Sequence, residues 1–124
     1  MHILMCNDDG ILADGLRHLA SYLSQYYRIT VVAPANEQSA KSHALTTEIP
    51  LKLDAYNGED ENPRLYALTG TPSDCMKFGL SYLLTDDMPD LVISGINHGF
   101  NLGSDVLYSG TVSAAMESCF YGIP

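Results

Sequence analysis

The sequence predicts an α/β domain with a mostly parallel sheet, and three observations carry that prediction. Short apolar runs without polar alternation, His2–Cys6 (HILMC), Arg28–Ala33 (RITVVA) and Leu91–Ser94 (LVIS), read as strands buried on both faces. Segments with helical apolar spacing separate them, which makes βαβ units with parallel, right-handed crossovers. Each run is also followed by a polar, turn-forming cluster. At 124 residues the chain is a single domain, 1–124, long enough for a three-layer core.

The first strand stops at Asn7-Asp8-Asp9-Gly10, an acidic turn. Leu16, Leu19, Ala20 and Leu23 then recur at helical spacing, with Asp14 as the expected N-cap. Pro34 closes the second strand, and Ala35 to His43 follows as a polar loop. Leu51 and Leu53 alternate with Lys52 and Asp54, Asn57-Gly58 offers a turn, and Leu65 to Leu68 returns as strand. This is a projecting β-hairpin whose tip, Glu59-Asp60-Glu61, is solvated acid.

Thr71-Pro72-Ser73-Asp74 reads as a helix start, with Thr as N-cap, Pro at N1 and Asp at N3 facing back. Cys75, Gly79, Tyr82 and Leu83 are expected to line one face of that helix. Leu91–Ser94 suits a central parallel strand, and Gly95 to Ser109 a long loop of the functional kind. The last helix is expected to begin near Thr111 and to bury Val112, Ala115, Met116, Cys119 and Phe120.

The composition, 46% hydrophobic and 17% charged, is that of a globular protein. A net charge of −9 argues against a nucleic-acid duplex or an anionic membrane surface as partner. No window has the length of a membrane span, and the N-terminus lacks the layout of a secretion signal. Cys6, Cys75 and Cys119 read as reduced core cysteines, which suits the cytoplasm.

Asp8-Asp9, the stretch Asn36-Glu37-Gln38-Ser39, and Asn97-His98 each follow a predicted parallel strand. In an open parallel sheet those strand ends share one edge, where ligands bind at the switch in strand order. Two adjacent carboxylates repel, so a site that holds both calls for a cation. Asp8, Asp9, Ser39 and Asn97 would offer one hard divalent ion four protein oxygens, which favours Mg²⁺, Mn²⁺ or Ca²⁺ over zinc. The plainer alternatives are a turn with solvated acids, a loop serine at 39 and a turn residue at 97. His98 is not needed in an all-oxygen site, and Phe100 reads as a core or rim residue before a base-binding one.

Ser109, Gly110 and Thr111 open the last helix, where free N–H groups and two hydroxyls can cradle a phosphate; a ligand-free Ser/Thr cap is the alternative. A cation beside such a cradle suggests metal-assisted phosphoester hydrolysis by direct attack of water, with Asp8 or Asp9 orienting it. No activated serine or cysteine nucleophile is evident.

The blocks Asn7-Asp-Asp-Gly10, Ala33-Pro34 with Glu37-Gln-Ser39, Gly70-Thr-Pro-Ser-Asp-Cys75, Pro89 to Asn97 and Tyr108-Ser-Gly-Thr-Val112 together resemble the SurE family of survival-protein nucleotidases. The resemblance spans the whole chain in the right order. It implies a Rossmann-like three-layer fold and a divalent-metal-dependent phosphatase acting on nucleoside 5′- and 3′-monophosphates. It implies one Mg²⁺ or Mn²⁺ per subunit, with Ca²⁺ acceptable in a crystal, and a homodimer or homotetramer. It also carries Asp8, Asp9, Ser39 and Asn97 over as metal ligands, aligns Ser109, Gly110 and Thr111 with the phosphate-side loop, and puts Asp105 at an accessory acidic position. Ala40 and Ser118 depart from the family's commoner glycine. Family members continue past the equivalent of Pro124, so the chain corresponds to the N-terminal portion of the family fold.

Two other readings compete. A catalytically silent metal- or nucleotide-binding fragment shares every residue named above. A signalling receiver domain also has an acidic pair after its first strand, but needs an acceptor aspartate after a central strand and a late lysine. Here Asn97 stands at the first position and the last lysine is Lys77.

Overall fold

The computed structural model describes residues 1–37 and 48–124. Strands β1 (His2–Cys6), β2 (Arg28–Pro34), β3 (Leu53–Ala55), β4 (Arg64–Leu68) and β5 (Leu91–Ser94) form one sheet in the order β3-β4-β2-β1-β5. All pairs are parallel except β3 with β4. Helix α1 (Asp14–Leu23) covers one face, and α2 (Pro72–Phe78) and α3 (Gly110–Phe120) cover the other.

Alternation along β1 explains its unbroken apolar run. Ile3 and Met5 pack with Leu16 and Ala20 of α1, while Leu4 and Cys6 pack with Cys75, Met76 and Ala114. Burying both faces of β1 and β2 leaves the exposed Arg28 at the start of β2 and the buried His2–Thr30 pair, all at the N-terminal rim, as their polar residues.

Several expectations are met and several are corrected. The predicted start of α2 is a complete capping box: Thr71 Oγ1 accepts the Asp74 N–H at 3.1 Å, and Asp74 Oδ2 accepts the Thr71 N–H at 2.8 Å. The N-cap of α1 is Ala13, and Asp14 is instead the first helical residue, where its charge still complements the helix dipole. The hairpin does not simply project: β4 pairs parallel to β2, so only β3 and the exposed Glu59–Glu61 tip lie beyond the parallel sheet. Strand β5 is the edge of the described sheet and is only half-buried, not central. On its outer side the Val92 N–H donates to the Pro124 carbonyl at 2.8 Å.

Tyr82 is exposed and stacks on Phe78, because the chain changes to a π-helical turn over Gly79–Leu83 and the α-helical face no longer continues. The loop between β5 and α3 contains a 3₁₀ turn, Gly103–Tyr108. Cys6 and Cys75 are buried free thiols as expected, and burial pushes the Cys75 thiol up, but Cys119 is exposed. Phe100 is 89% exposed, which excludes a core role.

Candidate metal and phosphate site

From β1 the chain steps to β2 and on to β4 on one side, then returns to β5 on the other, so strand order reverses between β1 and β5. Cys6 and Ser94 are in register at the ends of those strands. The crevice just beyond them is therefore the topological switch point. Into it project the turn after β1, the loop after β5 and the first turn of α3.

The acidic turn is built by Asn7. Its Oδ1 accepts the Gly10 N–H and its Nδ2 donates to the Gly10 carbonyl, both at 3.1 Å, with the side chain fully buried. Gly10 has φ +102°, and a Cβ there would come 3.3 Å from the Pro34 carbonyl oxygen. Only glycine closes this turn against the end of β2 without strain. The clamp leaves Asp8 buried and Asp9 half-buried.

Each carboxylate reaches a different neighbour. Asp9 Oδ2 accepts the His98 N–H at 2.8 Å, tying the turn to the loop after β5. The Thr111 hydroxyl lies 3.2 Å from Asp8 Oδ1 and 3.3 Å from Asn97 Oδ1. It has one proton to offer two acceptors. The Asn97 amide is turned this way by donating Nδ2–H to the Gly99 carbonyl at 3.2 Å. Burial, and then the charge of Asp9, push the Asp8 carboxyl above its ordinary range, against the pull of the Thr111 hydrogen bond.

A carboxylate, an amide oxygen and a hydroxyl thus converge in a half-enclosed, electronegative crevice. Hard oxygen donors around a carboxylate that burial penalises fit a small divalent cation. Among the described residues no three His, Cys, Asp or Glu side chains come together, so a cation here would draw on amide and hydroxyl oxygens as well as the acids. Beside these donors opens a cleft of about 370 Å³ lined by Asp9, Ala13, Asp14, Gly15, Glu37, Ile96, Asn97 and His98.

The structure brings together Asp8, Asp9, Asn97 and Thr111 of the predicted set, while Ser39 lies outside the described residues. Ser109 is the N-cap of α3, its Oγ accepting the Val112 N–H at 3.2 Å. The hydroxyls of Ser109 and Thr111 are therefore engaged within the protein. Helix geometry leaves the N–H groups of Gly110 and Thr111 without intrahelical acceptors. Asp105 is exposed on the 3₁₀ turn and, among the described residues, makes no side-chain hydrogen bond to the acid pair. Sequence reasoning missed Asn7 as the clamp, although an Asx residue three before a glycine is a turn signal. It also missed the His98 backbone contact, which no residue type announces.

An open α/β sheet with oxygen donors gathered at its switch point defines the class: a Rossmann-like three-layer protein with its site at the carboxyl rim. Comparison with known proteins narrows this. The family described as survival protein SurE matches residues 3–124, and the chain belongs to that family. It is 55% identical over 124 residues to a protein of Thermoanaerobacter sp. (strain X514) named 5′-nucleotidase SurE, covering 100% of this chain and 48% of the relative. A protein of the same name from Vibrio vulnificus (strain YJ016) is 51% identical over 123 residues, covering 99% of this chain and 46% of the relative. The crystal structure of the SurE protein from Aquifex aeolicus superimposes with a TM-score of 0.87 at 43% identity, over 100% of this chain and 48% of that one. The chain spans about half the length of the curated relatives it matches.

Proposed function

We propose that this chain forms the cation- and phosphate-holding portion of a phosphoric monoester hydrolase acting on nucleoside 5′- and 3′-monophosphates. The observation that carries the proposal is the meeting of Asp8 Oδ1, Asn97 Oδ1 and Thr111 Oγ1 at the switch point, with Asp9 beside them. The relatives' name, 5′-nucleotidase, supports the substrate class.

Asp8, Asp9 and Asn97, with Ser39 as a further oxygen donor, would hold one Mg²⁺ or Mn²⁺ (Ca²⁺ in a crystal). When bound, such a cation neutralises charge on the phosphoryl oxygens and makes water a better nucleophile at neutral pH. The chain's own groups do the rest. N–H groups at the start of α3 orient the phosphate. Among the described residues Asp9 Oδ2 is committed to the His98 N–H, so Oδ1 is the oxygen that would face the cation and orient the attacking water. Asp105 is an accessory acid at the rim. In this reading the chain is one unit over 1–124, cytoplasmic, and assembles as a homodimer or homotetramer.

Phosphate release from nucleoside monophosphates in Mn²⁺ or Mg²⁺, with and without chelator, tests the proposal. Asp8→Ala and Asn97→Ala should each abolish release, while Asp60→Ala, on the exposed hairpin tip, should leave it unchanged. Undiminished turnover in Asp8→Ala would overturn the ligand set. A second reading, a silent metal- or nucleotide-binding piece, rests on the same oxygen donors. Tight Mn²⁺ binding with no phosphate release in the unaltered chain would select it.

A further inference from the structure

The three oxygens that meet at the switch point belong to three different segments, and something must fix their spacing. Asn97 follows β5, Thr111 opens α3, and Asp8 follows β1. One side chain crosses from β5 to α3 at the right place. Ser94, the last residue of β5, donates its hydroxyl proton to the Thr111 carbonyl at 2.6 Å. The bond is short and partly buried, and it bridges 17 positions of sequence. Thr111 Cγ2 also faces this strand end, lying 4.0 Å from where a Cβ on Gly95 would stand. With its carbonyl pinned by Ser94, Thr111 presents its hydroxyl to Asp8 and Asn97.

We infer that Ser94 is a positioning residue for the oxygen site, acting through Thr111 to hold the hydroxyl between Asp8 Oδ1 and Asn97 Oδ1. This deepens the proposed function and rests on its cation-holding reading. Ser94 touches neither cation nor phosphate in this scheme. Its effect is that of an outer-layer hydrogen bond, whose loss typically weakens a metal site 10- to 100-fold.

The test is a double-mutant cycle read by Mn²⁺ titration calorimetry on the full chain, together with the side-chain amide NMR signal of Asn97 in metal-free protein. Ser94→Ala should weaken Mn²⁺ binding at least about tenfold and move the Asn97 signal. Ser94→Thr, which keeps the hydroxyl, should restore both. Thr111→Val should cost at least as much as Ser94→Ala, and the double variant should be no worse than Thr111→Val alone. Additive losses, or Ser94→Thr behaving like Ser94→Ala, would overturn the inference, as would unchanged affinity in Ser94→Ala. Should the unaltered chain bind no Mn²⁺, the cation reading fails by itself. The Asn97 signal then still decides whether Ser94 sets the geometry: movement in Ser94→Ala with recovery in Ser94→Thr supports it, and no movement refutes it.

Discussion

Gly110 is where the backbone of α3 comes closest to the acid pair. A Cβ at that position would lie 2.8 Å from Asp8 Cβ and 3.0 Å from Pro72 Cγ, and neither atom is the far end of a flexible side chain. Gly110→Ala must therefore push α3 away from β1 and α2, an overpacking effect of about 1–3 kcal/mol. Chemical denaturation should show that loss, and Mn²⁺ affinity should fall with it because Thr111 moves with the helix. A variant as stable as the parent would mean that the approach is looser than drawn. The same region shows how far residue types alone reach. Asp8, Asp9 and Asn97 were legible because acids and amides after parallel strands converge on a known edge. Thr111 was legible only as a phosphate contact, since its second partner depends on a helix approach that glycine permits but does not announce. Ser109 was legible as a cap or as a cradle, and its hydroxyl acts as the cap.

At the scale of elements, α2 and α3 make an instructive pair. The cap of α2 is written in four consecutive residues, so local chemistry sufficed. Thr71→Ala removes the acceptor for the Asp74 N–H in a buried cap and should destabilise the chain by about 1 kcal/mol, measured by urea unfolding. An unchanged midpoint would show that the Thr71 hydroxyl contributes nothing. Helix α3 behaves otherwise. Its apolar stripe, Val112, Ala115, Met116, Cys119 and Phe120, was the expected buried face, yet Met116, Cys119 and Phe120 are exposed. The buried face is Gly110, Ser113, Ala114, Glu117 and Ser118, the same spacing displaced by two residues, or ~200° around the helix. Helical periodicity identifies which residues share a face. It does not say which face meets the sheet when small residues on the other side allow a closer approach to α2 and Asp8. The parallel strands were legible because burial on both faces leaves a continuous apolar run. The position of β5 at the edge was not, because four apolar residues look alike at an edge and at a centre.

Across the whole molecule the sheet has two polar rims of opposite character. The carboxyl rim gathers oxygen acceptors, whereas the amino rim holds a chain of donors and acceptors around one buried histidine. Arg64 donates to Thr30 Oγ1 at 3.1 Å, and Thr30 Oγ1 is 2.9 Å from His2 Nε2. The Asp87 carbonyl, 3.2 Å from His2 Nδ1, can only accept, so Nδ1 carries the proton and in the neutral ring Nε2 accepts from Thr30. This wiring accommodates a neutral imidazole with both ring nitrogens paired. Burial first, then the positive charges of Arg28 and Arg64, lower the His2 pKa below 6.5, against the opposing pull of Asp87. Because the folded state resists protonation, the unfolded state binds the extra proton as pH falls below 6.5. Stability contributed by neutral His2 is thus complete above that value and is lost on acidification through the lowered folded pKa. In thermal unfolding between about pH 7.5 and 5.5, a range spanning the ordinary histidine pKa, the parent chain should lose more of its Tm than His2→Gln, which cannot titrate. The other three histidines, His18, His43 and His98, are common to both proteins and cancel in the difference. Parallel Tm curves for the two proteins would show that His2 takes up its proton as readily in the folded chain as in the unfolded one. That result would remove the neutral imidazole from the account of what holds β1, β2 and the β5 approach together at this rim.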